Sequence, residues 1–159
     1  MIKLKTLLEN QILVPRRSKE ERQKNYIIVI QKQLQQYIKN GGQGKLNLTG
    51  TPIQSLPNGL KVGGNFYLIG ASIQSLPNGL KVGGDFWLNN THIQSLPNGL
   101  EVVKNLDLSG TPIQSLPNGL KVGGDLSLRN TPLSKKYIEE EIRKIIEDKG
   151  GFIEGDIYM

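Results

Sequence analysis

The chain predicts an α/β solenoid, a stack of short turns carrying a parallel β-sheet on one side and closed by a helical cap at each end. Three observations carry this expectation. The string Ile-Gln-Ser-Leu-Pro-Asn-Gly-Leu starts at Ile53, Ile73, Ile93 and Ile113, a fixed period of 20 residues. A unit that short cannot bury its own apolar face, so it must stack on copies of itself. Glycine is abundant, 19 of 159 residues, and falls at the same places in successive units, where corners are needed. Amphipathic segments flank the units, as the open ends of a stack require.

Within each unit the pair Phe66-x-Leu68, repeated as Phe86/Leu88, Leu106/Leu108 and Leu126/Leu128, alternates like a strand with one buried face. Leu46/Leu48 and Ile157/Met159 continue the set at the two ends, which implies about six rungs with four complete. The other half, Ile53, Leu56, Leu60 and Val62, sends apolar groups inward along an irregular, extended return path. Pro57 suits that path because it needs no ladder hydrogen bond, and Asn58-Gly59 tolerates the positive φ of a corner.

The remaining segments read as an arm and two caps. Residues 1–17 hold Leu4, Leu7 and Leu8 in a short amphipathic stretch, then the extended Ile12-Leu13-Val14-Pro15. This basic arm either folds back or reaches for a partner. Residues 18–43 form the first cap: Ser18 and Glu21 fit a capping box, the helix runs from about Lys19 to Lys39, and Asn40-Gly41-Gly42 stops it. Ile27, Ile30, Leu34, Tyr37 and Ile38 give it an apolar stripe. Residues 44–133 are the repeats. In 134–159, Ser134 caps a helix over about 135–149 with Tyr137, Ile138, Ile142, Ile145 and Ile146 inward, and a final strand follows. Glu139, Glu140 and Glu141 complement the dipole of that helix in its early turns.

On these residues the chain resembles the leucine-rich repeats. Gly63-x-x-Phe66-x-Leu68-x-x-Ala71-x-Ile73 overlays the Leu-x-x-Leu-x-Leu-x-x-Asn-x-Leu pattern, and the following Ser-Leu-Pro-Asn-Gly-Leu is similar to short repeats of bacterial secreted effectors and bacteriophage proteins. The overlay covers about residues 44–133. It departs from the pattern where the first leucine is Gly63, Gly83 and Gly123, and where the turn asparagine is Thr51, Thr91, Thr111, Thr131 or Ala71. A ladder of threonine hydroxyls is expected in place of the amide ladder, weakest at Ala71. The resemblance implies a sheet on the concave face of the solenoid. It also implies a non-enzymatic protein-binding module, phage-encoded and acting on a host protein or within the virion. The expected location is accordingly the cytoplasm, that of the host cell for a phage protein, or the virion.

Composition narrows the chemistry. Cysteine is absent, which excludes disulfides, thiolate metal sites and thiol nucleophiles, and His92 is the single histidine. His92 stands where sister units carry Pro52, Ser72 and Pro112, a slot no general base or ligand would occupy. Asp85, Asp107 and Asp125 flank strands without a ligand-dense loop. The recurring Gly-Leu-Lys-Val-Gly-Gly-Asp lacks the ending of a phosphate loop and precedes a strand. No enzyme, cofactor or metal is expected. No apolar run approaches the roughly 20 residues of a membrane span, and no secretory leader is read at the start. A monomer is expected.

Comparison of the units locates a binding surface. Ile-Gln-Ser-Leu-Pro-Asn-Gly-Leu-Lys-Val-Gly-Gly is identical in three of the four, while the outward strand positions vary: Asn47, Tyr67, Trp87, Asp107, Ser127 and Tyr158. Adjacent strands lie about 4.8 Å apart, so Tyr67 and Trp87 should be neighbours. The candidate partner-binding set is Asn65, Tyr67, Ile69, Asp85, Trp87, Asn89, Asp107 and Arg129. Rows of Gln54, Gln74, Gln94 and Gln114, and of Lys61, Lys81 and Lys121 broken by Glu101, read as products of duplication. The alternative to a protein partner is nucleic acid or an anionic surface. Residues 1–45 carry a formal charge of +7 against +6 for the whole chain, centred on a basic patch of Arg16, Arg17, Lys19, Arg22 and Lys24.

Overall fold

The computed structural model describes residues 18–159; the basic arm, with Leu4, Leu7, Leu8, Arg16 and Arg17, lies outside them. The described residues divide into two units at Gln33/Leu34. Helix α1 (Lys19–Lys39) starts with the expected box: Ser18 Oγ accepts the Glu21 N–H at 3.1 Å, and the Glu21 carboxylate accepts the Ser18 N–H at 2.9 Å. It ends where Gly41 and Gly42, both at positive φ, return their N–H groups to the carbonyls of Ile38 and Tyr37. The Tyr37 hydroxyl donates to the Gly42 and Gly44 carbonyls, fastening the last turn to the first corner. Burial pushes the Tyr37 phenol above its ordinary value near 10. Leu34 is buried, but Ile38 is exposed, contrary to the expected stripe. Adjacent helical residues are about 100° apart, and Tyr37 takes the inner direction.

Leu34–Met159 is a parallel-strand β-solenoid of four full turns, with a further rung strand at each end. Its six-stranded sheet has the order β1 (Leu46–Asn47), β3 (Phe66–Tyr67), β5 (Phe86–Trp87), β7 (Leu106–Asp107), β9 (Leu126–Ser127) and β11 (Ile157–Tyr158). The expectation of one sheet facing an irregular return is corrected. A second parallel sheet, of five strands, is formed by β2 (Lys61–Val62), β4 (Lys81–Val82), β6 (Glu101–Val102), β8 (Lys121–Val122) and β10 (Phe152–Ile153). Two residues are too few to show a strand period, so only the register between rungs reveals it.

A glycine corner joins the two sheets. A Cβ on Gly83 would collide with the backbone of Gly63 in the rung below, and one on Gly64 with that of Gly44. In the third unit Val103 and Lys104 replace the glycine pair, and Val103 is left 62% exposed. The core between the sheets is apolar except for the buried threonines Thr51, Thr91, Thr111 and Thr131. Phe66 and Phe86 are fully buried and stack with centroids 5.0 Å apart, and Ile73, Ile93, Ile113, Leu80, Leu100 and Leu120 line the return path.

Two sets of side-chain hydrogen bonds secure the rungs. Thr51, Thr91, Thr111 and Thr131 do not form the expected hydroxyl ladder. Each donates within its own rung, to the carbonyl of Leu48, Leu88, Leu108 or Leu128 at 2.6–2.8 Å, and so closes one turn. The ladder between rungs runs elsewhere. Asn65 Oδ1 accepts the Asp85 N–H at 3.0 Å, Asp85 Oδ1 that of Asn105 at 3.3 Å, Asn105 Oδ1 that of Asp125 at 2.8 Å, and Asp125 Oδ1 that of Asp156 at 3.0 Å. Asn and Asp alternate at one position because both present an acceptor oxygen at the same reach.

The expected single helix over 135–149 is two helices, α2 (Pro132–Lys136) and α3 (Glu139–Asp148), and its cap is Thr131, not Ser134. Thr131 Oγ1 accepts the Ser134 N–H at 3.1 Å. Between the helices Tyr137 and Ile138 are extended, and the Glu141 carboxylate accepts the Ile138 N–H at 3.0 Å to start α3. Ile142 and Ile146 are buried as expected, whereas Ile138 is 62% exposed because it caps the helix from outside. These helices replace the extended return of the last rung. Arg143 holds α3 to the final corner through the Ile153 and Gly155 carbonyls, each at 3.0 Å. Among the described residues no helix is long and apolar enough to cross a membrane.

Candidate functional site

The outward row of the six-stranded sheet brings Tyr67 and Trp87 side by side. Parallel pairing of β3 with β5 sets Phe66 opposite Phe86 and Tyr67 opposite Trp87, so the inner phenylalanines and the outer aromatics are neighbours on opposite faces. Tyr67, Trp87 and Asp107 are half-buried, with Ile69 and Asn89 half-buried beside them. The Asn65 amide donates to the Tyr67 hydroxyl at 3.1 Å, which orients the ring and leaves the phenolic proton to be donated outward.

Two polar atoms in this cluster have no partner. Trp87 Nε1 and Asn89 Oδ1 are shielded from solvent and make no hydrogen bond among the described residues. A donor and an acceptor left unsatisfied two residues apart, one on β5 and one in the turn after it, call for an explanation, since buried polar groups are nearly always paired.

The other predicted residues divide. Asn65 and Asp85 stand beside the aromatic pair, but one oxygen of each is engaged in the ladder between rungs. Asp107 accepts the Ser109 N–H at 2.9 Å and shapes its own turn, while the Ser109 and Ser127 hydroxyls meet at 2.7 Å. Arg129 is not part of the cluster. Its guanidinium lies 4.7 Å from the centroid of the Tyr158 ring, three strands or about 14 Å along the sheet from Trp87. Sequence reasoning places Tyr158 in the outward row without assigning it to the site; the Arg129–Tyr158 pair depends on a register that only the last rung's helices set.

The row on the five-stranded sheet is occupied with itself. Glu101 pairs with Lys81 at 2.6 Å and with Lys121 at 3.5 Å across neighbouring rungs. The hydrogen bond from Lys81 holds the Glu101 carboxyl below the usual carboxylate range. That pairing is therefore present above the usual range and fades as pH falls through the lowered value; pairs this exposed contribute little to stability. The groove beside them, about 310 Å³, is floored by Gly63 and Gly83 and walled by Lys61, Lys81 and Val103.

Of the basic patch, Lys19, Arg22 and Lys24 lie exposed on the first two turns of α1, and Arg16 and Arg17 fall outside the described residues. His92 is exposed on its turn. The chain matches no protein-family model, no curated protein and no solved structure.

Proposed function

We propose that the protein is a non-enzymatic protein-binding module of leucine-rich-repeat type, taking its partner on the outward, concave face of the six-stranded sheet around Tyr67 and Trp87. The observation that carries the reading is the aromatic pair itself, with an indole N–H and an amide oxygen beside it that have no partner among the described residues. Rigid aromatics with a polar handle are what interface centres use as anchors. Variation between units supports it further: Ile-Gln-Ser-Leu-Pro-Asn-Gly-Leu on the return path is held constant in all four units while this row changes at every rung.

The test is affinity for a partner recovered from lysate, compared across two double variants at low and high salt. Tyr67→Ser with Trp87→Ser is expected to leave the fold intact, because both side chains face away from the core, and to weaken binding by about 2 kcal/mol or more. Arg16→Ala with Arg17→Ala is expected to change it little. Loss confined to the arginine variant, with affinity falling steeply in salt, would instead assign function to the basic region and an anionic partner.

A further inference from the structure

One chemically labile dipeptide repeats at equivalent corners, Asn58-Gly59, Asn78-Gly79, Asn98-Gly99 and Asn118-Gly119. In such a pair the glycine nitrogen can attack Cγ of the asparagine amide, because no Cβ hinders its approach. Asparagine is accordingly among the thermolabile residues. All four glycines occupy the left-handed region, with φ between 66° and 74°, and all four asparagines are exposed. Identical flanking residues give the four sites the same intrinsic reactivity, so any difference among them must come from the fold.

The fold does distinguish them. Gly59 N–H donates to the Asn78 carbonyl at 3.0 Å, Gly99 N–H to that of Asn118 at 2.8 Å, and Gly119 N–H to that of Lys149 at 2.8 Å. Asn98 is held a second time, its Oδ1 accepting the Asn118 N–H at 3.0 Å. A fifth Asn-Gly pair, at the end of α1, is also held: Gly41 N–H donates to the Ile38 carbonyl and the Asn40 side chain accepts from Gln36. Gly79 is the exception, its N–H donating to no acceptor among the described residues. The Asn78 side chain makes no hydrogen bond among them, as is also true of Asn58 and Asn118, so the free Gly79 N–H is what sets this corner apart.

We propose that Asn78 is a selective site of spontaneous deamidation. Loss of the Gly79 N–H proton to solvent base frees the nitrogen to attack Asn78 Cγ. The new bond from nitrogen to Cγ closes a five-membered imide as the bond from Cγ to Nδ2 breaks, and Nδ2 leaves as ammonia after taking up a proton. Water then adds to either imide carbonyl and opens the ring to aspartate or to isoaspartate, so no oxidant or cofactor is needed. The isoaspartate product carries one more methylene in the backbone. It displaces the Asn78 carbonyl from the Gly59 N–H and loosens the corner between the first and second complete units. At the three other corners the attacking nitrogen must first give up a hydrogen bond.

The experiment incubates the folded protein at mildly alkaline pH and follows each site by tryptic mass mapping. Residues 46–61, 62–81, 82–104 and 105–121 are four peptides of different composition, each holding one of the four pairs, and fragment spectra place the mass change. Asn78 is expected to convert roughly two- to tenfold faster than Asn58, Asn98 or Asn118, the Boltzmann weight of about one amide hydrogen bond. In denaturant the four rates should converge. Equal rates in the folded protein, a faster reaction at one of the other three, or the same ranking in the unfolded protein would overturn the proposal.

Discussion

Replacing Phe86 with alanine is expected to lower the unfolding free energy by roughly 3–5 kcal/mol, the range for deleting a fully buried aromatic ring. Phe86 is 0% exposed and lies between Phe66 below and Leu106 above, so the cavity would face two rungs and the ring stack with Phe66 would be lost. Backbone hydrogen bonds join the rungs on either side of Phe86, from the Phe66 N–H to the Asp85 carbonyl and from the Phe86 N–H to the Asn105 carbonyl, so the rungs are held apart and the cavity cannot simply close. Denaturant unfolding measures the effect. A loss under about 1 kcal/mol, the level of an ordinary surface change, would mean that the rungs do not share one core.

Removing residues 132–159 is expected to have a larger effect still, although every complete twenty-residue unit remains. The cut takes away β10 and β11, and with them the partners of β8 and β9. Ile142 and Ile146, which replace the apolar return of the last rung, go as well. Leu126 and Leu128, both 0% exposed, would then face water at a naked sheet edge, a template for association. Size-exclusion chromatography should show aggregates in place of one species. A soluble, monomeric truncation that unfolds cooperatively would show that the helices do not close the stack.

Both expectations begin from features plain in the sequence. The period of 20, the inward Phe/Leu positions and the extent of α1 are read from local pattern, and the Ser18–Glu21 box is a contact between residues three apart. What is not legible depends on neighbours across rungs. Lys61-Val62 looks like loop until Lys81-Val82 is laid beside it in register. The ladder through Asn65, Asp85, Asn105, Asp125 and Asp156 does leave a signal, since the position never departs from Asn or Asp in those rungs. That restriction sits inside the variable strand region, where it resembles surface variation. Threonine is expected to bond between rungs, but its short hydroxyl reaches the carbonyl three residues back first. The break at Tyr137–Ile138 is hidden because Thr131 and Ser134 both read as caps, and the three glutamates that favour a fresh helix start read equally well as part of one longer helix.

The candidate site is partly legible for the same reason. Tyr67 and Trp87 are adjacent because the period fixes their register, whereas the ladder roles of Asn65 and Asp85, and the displacement of Arg129 to Tyr158, require the assembled sheet. A partner seated on the outward face of the six-stranded sheet should be caught by site-specific photocrosslinking, with a benzophenone amino acid placed at position 67, at Gln74 on the return path, or at Arg22 on α1. Adducts from position 67 alone, competed by unlabelled protein but not by the Tyr67→Ser, Trp87→Ser variant, are the result expected. Adducts only from Gln74 or Arg22 would contradict the proposed site and move the binding surface off the sheet.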